Sequence, residues 1–266
     1  MEKTTAPATP ELLEEVWDTL ADKAGLPMRA MVVLGVLAGV FIGLGGLFAI
    51  VVLAGAENMP YGVAQLLAGL VFSVGLVLVM VAGAELFTGN LMMAGPVASG
   101  RLPAGRALAA LAIVYCANFA GSLLLAGLVL GAGVHTGHGG AVGQAALDLA
   151  ASKSDKIFAV TLVSGILANI LVCLAVWMAY AGRTVTQKIF GLLLPVTAFV
   201  AAGLEHSIAN MYLLPYAFLV QEATGNAGGA LSVPAILANL IPATIGNVIG
   251  GACVALAYWQ AVGKRA

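Results

Sequence analysis

Charged residues are scarce in this chain of 266 residues. Only 9% of them are Asp, Glu, Lys or Arg, whereas 61% are hydrophobic. Because soluble domains carry roughly 25% charged residues, the composition excludes an ordinary soluble protein and predicts an integral membrane protein. The net charge of −1 argues against a nucleic-acid partner, which a basic surface would attract.

Cysteine and histidine are also rare, with three residues of each. The cysteine spacing matches neither a metal site nor a disulfide framework, and one histidine, His206, lies inside a long apolar run. A haem held between two histidines needs a second one. We therefore expect no metal, no cofactor and no enzymatic activity. Two other classes of membrane protein remain open at this point: a redox subunit, and a purely structural or sensor protein.

Long apolar runs dominate what is present. A membrane span requires roughly 20 apolar residues, and six runs reach this length: residues 30–54, 62–98, 107–134, 157–181, 189–220 and 231–262. They predict an all-α membrane protein with six transmembrane helices. Lys and Arg concentrate before the first run, after the second and fourth runs and at the C-terminus, which predicts that both termini are cytoplasmic. The long loop after the third run, which contains His135, His138 and Lys153, then lies outside.

The two halves of the chain resemble each other. "GVLAGVFI" at 35–42 is matched by "GILANILV" at 165–172, and "GAELFTGNLM" at 83–92 is matched by "GLEHSIANMY" at 203–212. Each repeat contains three spans, an odd number, so the second copy is inserted upside down. Inverted repeats place their sites near mid-membrane on interrupted helices. The glycines beside polar residues predict that the second and fifth helices are broken.

The repeat also pairs the polar residues inside the spans. Glu85 and Glu205 are the carboxylates within the spans and occupy matching positions, as do Asn118 and Asn247 in the third and sixth runs. A broken helix exposes backbone groups that lipid cannot satisfy. We therefore expect both glutamates to accept hydrogen bonds from backbone N–H groups at the breaks, with Asn90 and Asn210 as two-way partners.

These observations divide the chain into three parts. Residues 1–27 are polar and acidic, and they predict a cytoplasmic amphipathic helix whose apolar face carries Leu12, Leu13, Val16 and Leu20. Thr9 before Pro10 is its expected cap. Residues 28–262 form the transmembrane domain, with a first repeat at 28–134 and a second at 157–262, and residues 263–266 form a short cytoplasmic tail.

The segments "AELFTGN", "GLEHSIANMYLLP", "GILANILVCLAVWMAYAGR" and "NLIPATIGNVIGG" together resemble the formate–nitrite transporter family. The resemblance runs from the first span to the sixth. It implies an aquaporin-like fold, a homopentamer with one pore per protomer, and transport of a small monovalent anion across a bacterial-type inner (plasma) membrane. Formate is the leading substrate, while the departure at Gly89-Asn90 keeps nitrite as an alternative, and hydrosulfide channels share the core motifs.

The resemblance also assigns residues. It implies a substrate pathway at His206, Thr88, Asn169 and Lys153, with Lys156 as the alternative to the last. It implies apolar constrictions at Phe72, Leu76, Leu86, Phe87, Val172 and Phe199. Because a bare charge is costly in an apolar pore, we expect the lysines to raise the local anion concentration and Thr88 and His206 to donate hydrogen bonds.

His206 has two possible roles. Imidazole titrates near neutral pH, so one hypothesis is that His206 relays a proton to the anion, which then crosses as the neutral acid. The alternative is a neutral histidine that bridges Glu205, Thr88 and the backbone. A pore for water or glycerol is a further alternative, although no Asn-Pro-Ala pair appears at the predicted breaks.

Overall fold

A computed structural model describes residues 6–225 and 231–263 of the chain. Within these ranges the chain is helical and contains no strand. The α-helices are α1 (Thr9–Ala24), α2 (Met28–Leu53), α3 (Tyr61–Ala82), α4 (Phe87–Asn90), α5 (Ala94–Ala98), α6 (Ala104–Gly131), α7 (Ala141–Ser154), α8 (Phe158–Ala181), α9 (Val185–Ala201), α10 (Ser207–Ala223) and α11 (Val233–Tyr258). The predicted all-α class is confirmed. Of the predicted tail, residues 264–266 lie outside the described ranges.

Five helices in the described ranges are long and apolar enough to cross a membrane: α2, α3, α6, α8 and α11 with the turn that follows it. The second and fifth predicted spans are each divided among more than one helix. The second apolar run is divided into α3 and the short helices α4 and α5, and the fifth is divided into α9, with 17 residues, and α10.

Helix α1 packs on its own protein. Its apolar face, formed by Leu12, Leu13, Val16, Trp17 and Leu20, is buried against α5, α6 and α8. The expected cap is wrong: Thr9 is the first helical residue, and Ala8 stands at the N-cap without a side-chain hydrogen bond. Helix α7 was not expected, because the Gly-rich stretch before it indicated an external loop. Its buried Val142, Ala146 and Ala150 recur every fourth residue, which is the spacing of one helical face.

The long helices approach each other closely. Helix α2 packs against α3 and α6, α8 packs against α9 and α11, and α3 and α9 join the two groups. A Cβ on Gly39 would overlap the carbonyl oxygen of Asn118, and a Cβ on Gly250 would overlap that of Ile166. Glycine at these crossings therefore permits backbone contact that any larger residue would prevent.

Helices α3 and α9 end in the same way. Each is followed by a glycine in the left-handed conformation, Gly83 with φ of 81° and Gly203 with φ of 64°. The next N–H group turns back onto the helix, from Ala84 to Val79 and from Leu204 to Phe199, as in the usual glycine-terminated helix end. Residues 83–86 and 203–206 are therefore non-helical.

Candidate functional site

A side-chain hydrogen bond joins the end of the second non-helical segment to helix α4, which follows the first. Nε2 of His206 lies 2.9 Å from Oγ1 of Thr88, and both residues are buried. His206 is the N-cap of α10, and its Nδ1 accepts the N–H of Ala209 at 3.1 Å. A neutral imidazole carries its proton on one nitrogen only. Since Nδ1 is an acceptor, Nε2 carries the proton and donates it to Thr88, which leaves the threonine hydroxyl hydrogen for another acceptor.

Asn169 fixes Thr88 from behind. Its side-chain Nδ2 donates to the backbone oxygen of Thr88 at 3.3 Å and to that of Asn247 at 2.7 Å. Asn169, a predicted pathway residue, therefore uses its side-chain N–H groups to bind backbone oxygens. Its buried Oδ1 has no hydrogen-bond partner in the part of the chain that the structure describes.

Asn118 and Asn247 clamp the two breaks. Asn118 Oδ1 accepts the N–H of Phe87, while its Nδ2 donates to the carbonyls of Gly35 and Glu85. Asn247 Oδ1 accepts the N–H of Ser207, while its Nδ2 donates to the carbonyls of Gly165 and Glu205. The repeat in the sequence pairs these asparagines but predicts no role for them. Their matched positions beside matched breaks were the available signal.

The glutamates are held by cations and amides. Glu85 accepts from Lys23 Nζ at 2.9 Å and from Asn90 Nδ2 at 2.8 Å. Glu205 accepts from the side chains of Lys153, Lys156, Asn210 and Asn239. The expected bonds from backbone N–H groups to these carboxylates are thus absent from the described residues, because the Asn clamps accept the N–H groups instead.

Lys23 was missed as a site residue. It stands five residues before the start of α2, and Lys153 stands five residues before the start of α8. Each lysine reaches the glutamate of one break. Burial lowers the pKa of the Lys153 ammonium below its ordinary value; the Glu205 carboxylate opposes this shift, and Lys156 adds to it. Lys153 therefore loses its proton more readily than an exposed lysine.

A cavity of about 70 Å³ lies beside this polar network, and we call it the vestibule. Its lining includes Phe72, Phe199, Lys153, His206 and Asn210. The rings of Phe72 and Phe199 meet edge to face, with centroids 5.6 Å apart, and the ring of His206 lies 5.6 Å from that of Phe199. The structure thus brings two predicted constriction residues together with two predicted pathway residues.

A second cavity of about 340 Å³ shares Leu53, Gln65 and Leu149 with the vestibule. We call it the outer mouth, after the orientation that the sequence predicts. Its lining also includes the exposed carboxylates of Glu57 and Asp148. The lysines beside the vestibule are paired with Glu205, so the approach is less positive than the sequence indicated.

The remaining constriction residues are placed differently. Leu76, Leu86 and Val172 are buried. Phe87 packs edge to face on Tyr115, with ring centroids 4.8 Å apart, and lines a separate cavity of about 530 Å³ between α6 and α11. The structure therefore does not bring Phe87 to the vestibule.

A bundle of long apolar helices around a narrow cavity, with a polar pair between two helix interruptions, is the architecture of a multi-pass membrane transport protein. Residues 10–260 match the model of the family described as formate/nitrite transporter. The chain belongs to the formate/nitrite transporter family.

Several relatives and solved structures are similar over most of the chain. The formate channel FocA of Escherichia coli (strain K12) is 39% identical, with 93% of each chain covered. The formate channel FocA of Haemophilus influenzae is 34% identical, with 82% of this chain and 81% of the relative covered. A solved structure described as a pentameric formate channel with formate bound is 38% identical, has a TM-score of 0.82, and matches 88% of this chain and 97% of its own.

Proposed function

We propose that this protein is a membrane channel for small monovalent anions, with formate as the main substrate, assembled as a homopentamer in a bacterial-type inner membrane. Support comes from the relatives named formate channels and from the similarity to a pentameric formate channel. The observation that carries the proposal is the buried His206–Thr88 pair beside a vestibule of two aromatic rings.

The proposed topology has six crossings in two inverted repeats, 28–134 and 157–262. The second crossing is α3 continued by α4 and α5, and the fifth is α9 continued by α10, both broken at mid-membrane. The matched glycines Gly83 and Gly203 support this arrangement, as do the matched clamps Asn118 and Asn247. Both termini are cytoplasmic in this proposal: residues 1–27 form the N-terminal segment, whose helix α1 packs on that face, and residues 263–266 form the tail.

The centre of the proposed pathway is a neutral hydrogen-bond donor. A bare anion is costly in apolar surroundings unless it is hydrogen-bonded. Because His206 donates from Nε2 to Thr88, the threonine hydroxyl is free to donate to the permeant. Protonating Nδ1 would break its bond from Ala209 N–H. These contacts support the neutral-histidine role over the proton relay.

The apolar parts of the pathway exclude water and larger solutes. Phe72 and Phe199 form the outer constriction in this proposal. The family resemblance alone adds Leu76, Leu86, Phe87 and Val172 as further constriction residues. Asn169 holds Thr88 in place, and the Glu85–Asn90 and Glu205–Asn210 pairs stabilise the breaks.

Anion flux into proteoliposomes of the pure protein tests the proposal. Formate, nitrite and hydrosulfide are compared between pH 5 and 8, with protein-free liposomes and Thr88→Val protein as controls. We expect formate to enter fastest, with flux rising as the pH falls. Faster nitrite or hydrosulfide flux would replace the substrate and keep the channel, whereas no flux of any of the three would overturn the proposal.

A further inference from the structure

Among the described polar residues that line the vestibule, Gln65 is the one whose whole side chain is without a hydrogen bond, whereas Asn210 lacks a partner at Oδ1 alone. The side chains of Lys153 and Asn210 are bonded to Glu205, and that of His206 is bonded to Thr88. The carboxamide of Gln65 makes no hydrogen bond to any described residue, although Gln65 lines both the vestibule and the outer mouth. Its amide is therefore available to whatever passes between the two cavities.

The position of Gln65 places it directly before the aromatic constriction. Gln65 and Phe72 are both on α3, seven residues apart, so they lie on one helix face about 10 Å apart along the axis. Ala68 lies between them on this face and lines the vestibule. A permeant that enters from the outer mouth therefore meets the carboxamide before it meets the Phe72 and Phe199 rings.

The chemistry of a carboxamide selects one form of the permeant. The amide presents an N–H donor and a carbonyl acceptor side by side. A protonated carboxyl group presents the complementary pair, a carbonyl acceptor and an O–H donor, so the two groups form two hydrogen bonds. A carboxylate has no donor, and its second oxygen would face the amide oxygen. Sulfur is a weak donor and acceptor, so hydrosulfide gains little from the same group.

We propose that Gln65 is a specificity-determining residue that binds the protonated carboxyl group of a small monocarboxylic acid between the outer mouth and the aromatic constriction. This inference rests on the proposed function and extends it by naming the form of the substrate that is recognised. It also removes the need for a proton donor at His206, because the permeant is selected in its neutral form before it reaches the centre.

Substitution of Gln65 tests this assignment. In proteoliposomes of Gln65→Leu, we expect the KM for formate to rise about tenfold, the effect of two modest net hydrogen bonds, while hydrosulfide flux stays unchanged. Gln144→Leu is the matched control, because Gln144 lines the outer mouth but not the vestibule and is bonded to Asp148 at 2.8 Å. We expect Gln144→Leu to leave both fluxes unchanged.

The outcomes separate this inference from the proposed function. If wild-type protein conducts formate and Gln65→Leu leaves the ratio of formate to hydrosulfide flux unchanged, the role of Gln65 is wrong while the channel stands. Equal effects of Gln65→Leu and Gln144→Leu would also overturn it. Absence of formate flux in wild-type protein would overturn both. Gln65→Met, which keeps the side-chain length, is the second variant if Gln65→Leu fails to assemble by size-exclusion chromatography.

Discussion

The imidazole of His206 and the hydroxyl of Thr88 are joined at 2.9 Å across the two helix breaks. The same imidazole accepts the N–H of Ala209 through its other nitrogen. One side chain therefore does two jobs: it caps α10 and it orients the threonine hydroxyl. A substitution that separates these jobs shows which of them transport requires.

His206→Asn is such a substitution. Asparagine is a good N-cap, so we expect the variant to fold and assemble, but its short side chain does not reach Thr88. Formate flux should fall by about 10- to 100-fold, which corresponds to one or two lost hydrogen bonds to the permeant. The pH profile of the residual flux in proteoliposomes should keep the wild-type shape. A displaced profile would restore the proton-relay role of His206.

We expect transport to require a side chain with a hydroxyl group at position 88. Thr88→Val removes the group that we expect to bind the permeant, so formate flux should fall about as far as in His206→Asn, while Thr88→Ser should stay within a few-fold of wild type. Because the two residues act as one unit, the double variant should be no worse than the poorer single variant. Multiplicative losses in the double variant would mean that the two side chains act independently.

Lys23 and Glu85 should contribute jointly, not independently, to the free energy of unfolding. Lys23→Met leaves a buried carboxylate without its cation, which costs about 2–3 kcal/mol, less than a fully buried pair because the Lys23 side chain is 21% exposed. Adding Glu85→Gln should recover most of the loss in thermal unfolding in detergent. Arg106→Met, which removes an exposed cation, is the control and should change nothing. A double variant no more stable than Lys23→Met would contradict the pairing.

The same pair sets an expected pH window. Burial alone would lower the pKa of Lys23, but Tyr180 and Glu85 raise it by more, so its pKa lies above the ordinary value. A lysine with a raised pKa contributes stability below its unfolded pKa of about 10.4 and loses it as the pH rises through the folded value. The lysine contribution should therefore be constant from pH 5 to 8. It should disappear only in strongly alkaline solution, which thermal unfolding across pH would record.

Docking of α1 should depend on its apolar face. Trp17 is 1% exposed and packs over Gly95, and removal of such a ring costs about 3–5 kcal/mol. The ion pair of Arg183 with Glu15 lies in solvent, where such pairs contribute little. Trp17→Ala should speed hydrogen exchange across residues 9–24, whereas Arg183→Ala should not. Equal exchange in the two variants would show that the ring does not hold the helix.

The glycine-terminated ends of α3 and α9 could be predicted from the sequence because their cause is local. Glycine beside polar residues in an apolar run leaves few other conformations, and Gly83 and Gly203 both adopt the left-handed one. The partners of the glutamates could not be predicted in the same way. Lys23 lies 62 residues from Glu85, and Lys153 lies 52 residues from Glu205, and only the packing of α1 and α7 brings each lysine to its carboxylate.

In the vestibule, too, some residues could be predicted from the sequence and others only from the folded structure. Phe72, Phe199 and His206 were assigned by resemblance, and the structure brings them together. Gln65 carried no motif, since a single amide near the end of an apolar helix is ordinary in a sequence. The proposal for Gln65 rests on the two cavities that it lines and on the absence of a hydrogen-bond partner among the described residues, and both are properties of the folded chain.

The clamps Asn118 and Asn247 have a consequence for how acidity acts on this protein. Each holds a broken helix end through one amide oxygen and one amide nitrogen, and a carboxamide neither gains nor loses a proton across the biological range of pH. The hydrogen bonds of the two clamps are therefore the same in mild acid and at neutrality. In the proposed channel, acidification would change the protonation of the solute but not the hydrogen bonds of these two clamps.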